Sequence, residues 1–285
     1  MRKFLPFLFV LLWSTGFIGA KYGLPYAEPL TFLGVRYVLV LGLMFSLALA
    51  FRAPWPATRR EWLHIGLSGV LLHAIYLGGV FMAIHRGLPA GITALVVGMQ
   101  PLLTALGAGW LLGERVRGRQ WLGLALGLGG VVLVVSGKFG ANPAESLLPA
   151  LIPALAALLG ITLGTLYQKR FCPAFDLRSG AVIQFLPTAV LTLVVAACTE
   201  SQAVQWSGTF VFALLWLVLV LSVGAISLLN LLIRSGSAVN VASLFYLTPP
   251  TTALIAWAAF GETLSGLALA GMVLAVSGVY LARRP

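Results

Sequence analysis

The stretch LVVGMQPLLTALGAGWLLGE, Leu95–Glu114, is apolar enough to sit in lipid, yet it holds Gln100 and Pro101 near its middle and closes on Gly113-Glu114. A second stretch, SLFYLTPPTTALIAWAAFGE, Ser243–Glu262, is built the same way. Pro249 stands where Pro101 stands, Thr252-Ala253-Leu254 repeats Thr104-Ala105-Leu106, and Gly261-Glu262 closes it. The offset is 148 residues and runs on without a gap through Ala90/Ala238, Ala94/Ala242, Gly118/Gly266, Gly123/Gly271 and Gly130/Gly278. It also pairs Gly16 with Gly164 and Lys21 with Lys169. A helix written twice at a fixed spacing points to two copies of one unit, residues 1–140 and 141–285.

The composition says where such a unit lives. Of 285 residues, 60% are hydrophobic and 9% charged, with a mean hydropathy of +1.02; soluble domains are about one-quarter charged. Apolar runs long enough to cross about 30 Å of hydrocarbon as helix fall near 4–22, 29–51, 62–84, 90–112, 118–137, 147–169, 177–198, 209–233, 236–260 and 264–282. The expected fold is an all-α polytopic membrane protein of ten transmembrane helices. The start, MRKFLPFLFVLLW, has the basic and apolar order of a secretory signal, but its apolar run continues to about Tyr22 and has a counterpart in the sixth span.

Basic residues in short loops stay cytoplasmic. With the N-terminus inside, fourteen of the eighteen Lys and Arg residues fall on the inner side, and the outer loops keep only Arg86 and Lys138. Both termini are then cytoplasmic, and the net charge of +11 is a topology signal. A basic patch on a soluble surface, which nucleic-acid binding needs, is not present. Five spans per unit is an odd number, so the second unit must enter the membrane inverted. The charges agree: the inner run RVRGR after Glu114 becomes the outer run TLSGL after Glu262.

Inverted repeats are a recurrent plan of secondary transporters, with the substrate held near the midplane. Pro101, Pro249 and Pro250 are expected to kink their spans and to free the carbonyls of Val97, Phe245 and Tyr246 for a cavity wall or gate. His73 falls at the middle of the third span with Tyr76 on the same face. It is read either as a core histidine or as a cavity residue and candidate proton carrier. Trp13, Met99, Gln100, Tyr246 and Thr248 complete the candidate substrate cavity. All seven acidic residues lie in loops or at span ends, so a facilitator is the favoured coupling and His73 the leading group if protons are coupled. Arg36 is expected to snorkel outward or to pair structurally with Glu262, with a carboxylate anchor for substrate as the lesser reading; Glu114 is taken as a structural charge. Gly123 and Gly127 form a small-xxx-small pair that fits either packing inside the bundle or a dimer contact. Cys172 and Cys198 are placed at opposite ends of one span, out of disulfide reach. No His-Glu-x-x-His pair, intramembrane carboxylate or metal-ligand cluster occurs, so neither an enzyme, a catalytic residue, a metal nor a cofactor is expected.

Ten spans in two inverted halves, the run PLLTALGAGWLLGERVRGRQWLG from Pro101 to Gly123, its second copy closing on Gly261-Glu262, and Trp13-Ser14-Thr15 in the first span resemble the EamA family of the drug/metabolite transporter superfamily. The resemblance covers nearly the whole chain. It implies a central cavity lined by helices of both halves and export of small metabolites, with YddG-like exporters of aromatic and other neutral amino acids as the nearest type. A proton-coupled exporter of cationic compounds is the alternative, ahead of a nucleotide-sugar-type carrier, a channel or a membrane enzyme. The implied partners are a small-molecule substrate and the bilayer of the inner membrane; a monomer and a homodimer both fit.

Overall fold

The computed structural model describes residues 4–88, 93, 96–136, 148–172, 174–260 and 265–283, and helix fills nearly all of them. The helices are α1 (Leu5–Gly23), α2 (Pro29–Ala50), α3 (Arg59–His85), α4 (Gln100–Leu112), α5 (Gly118–Ser136), α6 (Leu148–Phe171), α7 (Leu177–Thr199), α8 (Gly208–Ser235), α9 and α10 (Gly266–Arg283). In α9, Ala238–Ser243 passes through a 3₁₀ turn, Leu244–Leu247, into Thr248–Phe260. Among the described residues no strand forms, and Ala27 and Val204 make only an isolated bridge. The start of the expected fourth span, with Ala90 and Ala94, lies outside the described residues, as does Glu262.

Six of the described helical segments are long and apolar enough to cross a membrane: α2, α3, α6, α7, α8 and Ala238–Ile255 of α9. Their outward faces carry Val38, Leu39, Phe45 and Leu49 on α2 and Val190, Leu191, Val194 and Val195 on α7, all exposed. Such a surface suits hydrocarbon, where helices satisfy every backbone group internally. The chain is a polytopic, all-helical membrane protein.

The 148-residue offset reappears in the coordinates. Pro29, Gln100 and Gly118 open helical segments, and Leu177, Thr248 and Gly266 open segments 148 positions later. Helices related by this offset pack on each other: α2 against α7 and, most extensively of all, α5 against α10. Both pairs are antiparallel. In the first, Glu200 at the end of α7 meets Leu30 at the start of α2, and Gly34 faces Leu193. In the second, Gly123 faces Gly278 and Ala282 while Gly130 faces Gly271 and Ala275. Backbone meets backbone here. A Cβ on Gly130 would stand 2.4 Å from Ala275 N and 2.6 Å from Gly271 O, and one on Gly278 would stand 2.4 Å from Gly127 N. The glycine stripe is therefore spent inside the bundle.

The prolines act differently from the expected kinks. Pro101 occupies the first turn of α4, which opens at Gln100 after a turn at Gly98–Met99; Pro249 likewise follows the 3₁₀ turn of α9. A proline in a first turn removes an N–H that has no intrahelical partner anyway. The Phe245 carbonyl is not freed, because it accepts the Thr248 N–H. These spans are interrupted helices. Their companions α3 and α8 loosen into π-helix at Val70–Ile75 and Leu217–Ala225, so the irregular backbone gathers in the middle of the bundle.

One end is tied by reciprocal carboxylate caps. Glu200 accepts from the backbone N–H groups of Leu30 and Thr31 at 2.8 and 2.7 Å, and Glu28 accepts from the backbone N–H and hydroxyl of Ser201. The Ser201 hydroxyl and then its N–H hold the Glu28 carboxyl below its usual value of 4.5. A lowered folded-state value means that the stabilisation is complete above the unfolded value and fades as pH falls through the folded one. The melting temperature of wild type should thus exceed that of Glu28→Gln at pH 7, with the gap closing below about pH 4. A gap independent of pH would remove this carboxylate from the clamp. Gly130→Leu should cost about 2 kcal/mol or more by overpacking α5 against α10, read as a lower melting temperature in detergent; a wild-type value would contradict the contact.

Candidate functional site

A cleft opens between α1, α2, α3 and α8, walled by Trp13, Gly16 and Ala20, by Arg36, by Tyr76 to Ile84, and by Leu217, Leu221 and Ile226. In this conformation it encloses only about 40 Å³, room for a few waters and not for a metabolite. The π-helical turns of α3 and α8 lie in or beside its walls.

Two of the sequence-nominated residues meet here. The rings of Trp13 and Tyr76 stack at 6.3 Å with 6° between planes, and Trp13 is fixed edge-on by Phe245 and tilted against Phe9. His73, one turn before Tyr76, is set back from the cleft: its ring stacks on Phe185 at 4.5 Å and its Nε2 has no hydrogen-bond partner among the described residues. Its carbonyl accepts from the Tyr37 hydroxyl at 2.9 Å.

The other nominated residues are not in this cleft. Gln100 is buried and donates to Thr104 at 3.3 Å. Tyr246 is buried against Gly127 of α5. Thr248 is buried on α1, its carbonyl accepting from Ser14 at 3.3 Å. Met99 is 41% exposed, at the turn before α4. Glu114 accepts from the Ala238 N–H at 3.1 Å, an anion at a helix N-terminus, while Gly113 ends α4 in the left-handed region at φ 67°.

Arg36 does not snorkel. It is 3% exposed, lines the cleft beside Trp13 and Tyr76, and donates from Nε to the Ser222 hydroxyl of α8 at 3.0 Å. It turns inward to the cleft and to α8 rather than outward along α2.

Sequence reasoning missed a closed ring of amides. Gln168 of α6 donates to Asn230 of α8 at 2.9 Å, Asn230 to Gln184 of α7 at 3.4 Å, and Gln184 back to Gln168 at 3.2 Å. Gln184 also donates to Ser68 of α3 at 3.1 Å, and Ser68 donates to the Ile65 carbonyl. All four side chains are buried. Gln184 lies 148 positions after Arg36, so the repeat itself was the signal: each copy carries one buried polar residue seven positions into its second helix. Gln184→Leu should strand the amides of Gln168 and Asn230, at about 1–3 kcal/mol for each group left unpaired. A melting temperature equal to wild type would show that the ring does not hold the four helices.

Membrane helices broken at mid-depth around a cleft with few polar groups are the build of a secondary transporter. The profile of the EamA-like transporter family matches residues 3–136 and again residues 148–284, and the chain belongs to that family. It is similar to an uncharacterised inner membrane transporter, YedA, of Escherichia coli K12, at 29% identity over 98% of this chain and 94% of that protein. A probable amino-acid metabolite efflux pump of Salmonella typhimurium LT2 is also 29% identical, over 98% of this chain and 93% of that protein. A protein of known crystal structure superposes with a TM-score of 0.79 and 25% identity, covering 98% of this chain and 95% of that one. The chain is thus a membrane transporter of small molecules.

Proposed function

We propose that this transporter exports small metabolites, with neutral and aromatic amino acids as the preferred class, by alternating access. The observation that carries the reading is the cleft itself: a stacked tryptophan and tyrosine beside a buried guanidinium, enclosed by two helices with π-helical turns. In a conformation that widens the cleft, an aromatic or aliphatic side chain would lie on the apolar wall and a polar head on the far side. The name of the Salmonella relative points to the same class of cargo.

In this reading the chain is two five-span repeats, 1–140 and 141–285, inverted in the inner membrane with both termini cytoplasmic. The two-fold match of the family profile, the recurrence of helix starts at 148 residues and the antiparallel packing of α2 on α7 and α5 on α10 support it. The cleft then lies toward the outer side and the amide ring toward the inner side, so that opening one requires closing the other. His73 sits between them. Gln100, Thr248 and Tyr246 line the path that a different conformation would open, with Pro101, Pro249 and Pro250 setting the helix breaks where the gates turn. Transport is facilitated by the substrate gradient, because each described carboxylate is engaged at a helix end. A carrier with these features is not an enzyme and needs no cofactor.

Counterflow in proteoliposomes tests this. Labelled phenylalanine or another neutral amino acid should accumulate transiently and saturably against an unlabelled internal pool, with no response to a pH gradient. Trp13→Ala should cut the rate by about tenfold, the scale of losing one aromatic contact of about 1–1.5 kcal/mol. Exchange confined to organic cations and driven by a proton gradient would replace the reading with a proton-coupled drug exporter, in which His73, with its free Nε2, carries the proton.

A further inference from the structure

The least expected group in the cleft is Arg36. A cation enclosed by membrane helices is costly and marks a functional site, with its partner to be named. Its Nε is satisfied by Ser222 at 3.0 Å; the two terminal nitrogens have no hydrogen-bond partner among the described residues, and the side chain lines the cleft.

Every described carboxylate is committed elsewhere. Glu28 accepts from Ser201, Glu61 from the Thr58 N–H, Glu114 from Ala238, Asp176 from Arg178, and Glu200 from Leu30 and Thr31. The remaining two acids, Glu145 and Glu262, lie outside the described residues. The groups that share the cleft with Arg36 are the Ser222 hydroxyl, the rings of Trp13, Tyr76 and Phe81, and aliphatic side chains. None of them neutralises a guanidinium.

From this we infer that the missing counter-charge is the substrate's own: Arg36 is the specificity residue of the cleft, and it takes a carboxylate. The Ser222 bond fixes the guanidinium plane and leaves the fork of terminal nitrogens, whose geometry matches a carboxylate bidentately. The body of the ligand rests on Trp13, Tyr76, Leu217 and Leu221. Ligands are therefore compact amphipathic carboxylates, and organic cations are repelled. The inference rests on the cleft being the transport site, but it does not require the cargo to be an amino acid.

Gln184, the counterpart of Arg36 in the second half, adds to the case. It is the same kind of buried polar residue reaching the third helix of the other half, but it is neutral and its amide is paired on both sides. One polar position is closed by protein and the other is left open.

The test is a thermal-shift titration of purified full-length protein with matched pairs: phenylalanine against phenylalaninamide, and 3-phenylpropionate against 3-phenylpropionamide. Wild type should be protected by the carboxylates at concentrations about tenfold or more below the amides, and Arg36→Gln should abolish that preference. Arg36→Lys, which keeps the charge without the fork, should retain only part of it, and decides the matter should the glutamine variant not fold. Protection by 3-phenylpropionate without phenylalanine would keep the carboxylate anchor and sink the amino-acid reading. Equal protection by acid and amide in wild type, or an undiminished preference in the Arg36 variants, would overturn the inference. Glu262→Gln should leave the titrations unchanged; carboxylate protection that appears only in that variant would mean that Glu262 already occupies Arg36, and would overturn it too.

Discussion

The structure hangs on the line where α5 and α10 lie backbone to backbone. In a bilayer, lipid tails are as apolar as any side chain, so helices associate through close packing and not through burial of apolar surface. Glycine is what allows that approach, and Gly123 and Gly130 supply it from one half while Gly271 and Gly278 supply it from the other. The contact crosses over: Gly123 meets Gly278 and Gly130 meets Gly271. Exchanging each glycine for its mate 148 residues away returns the same contact, so the antiparallel pair has its own two-fold. The second self-related pair, α2 with α7, carries the reciprocal glutamate caps.

That near-symmetry gives meaning to the places where the halves differ. Arg36 and Gln184 occupy matching positions, and each reaches a serine on the third helix of the opposite half, Ser222 or Ser68. On the Gln184 side the polar groups close on themselves in a ring that ties four helices. On the Arg36 side the polar group is a charge in a cleft. The halves are thus alike in helix order and unlike in polarity at this position. Under the proposed alternating access, ring and cleft would take turns in yielding. The two π-helical turns, at Val70–Ile75 and Leu217–Ala225, place the less regular hydrogen bonding where such a change would bend the bundle.

Much of the fold could be read from residues alone, because the bilayer imposes it. Apolar runs of about 20 residues match the observed helix limits within a few residues except at α4, which opens at Gln100 where the run begins near 90, and the Gly-Glu blocks carry the offset that the helix starts obey. The site was harder to read, for three physical reasons. A proline in an apolar run looks like a kink, but whether it lies inside a helix or in its first turn depends on the break before it, as at Gly98–Met99. Arginine near a span end looks able to snorkel, but α8 closes over Arg36, and a contact 186 residues away has no local signature. The repeat marks Gln184 as the mate of Arg36, but Gln168 and Asn230 carry no such mark, and only the tertiary packing makes the three amides a ring. Mid-depth position singles out Gln100, Tyr246 and Thr248 in the sequence, but it fixes how deep a residue sits and not which way it faces.

Inversion of the second half relative to the first would show most plainly in the sidedness of labelling at a pair of repeat mates. Arg117→Cys and Ser265→Cys, 148 residues apart at the starts of α5 and α10, would each be made with Cys172 and Cys198 replaced by serine, and treated with an impermeant thiol reagent in right-side-out and inside-out vesicles. The account predicts that the cysteine at 117 reacts only from the cytoplasmic side and the cysteine at 265 only from the outside. Reaction of both from the same side would contradict it.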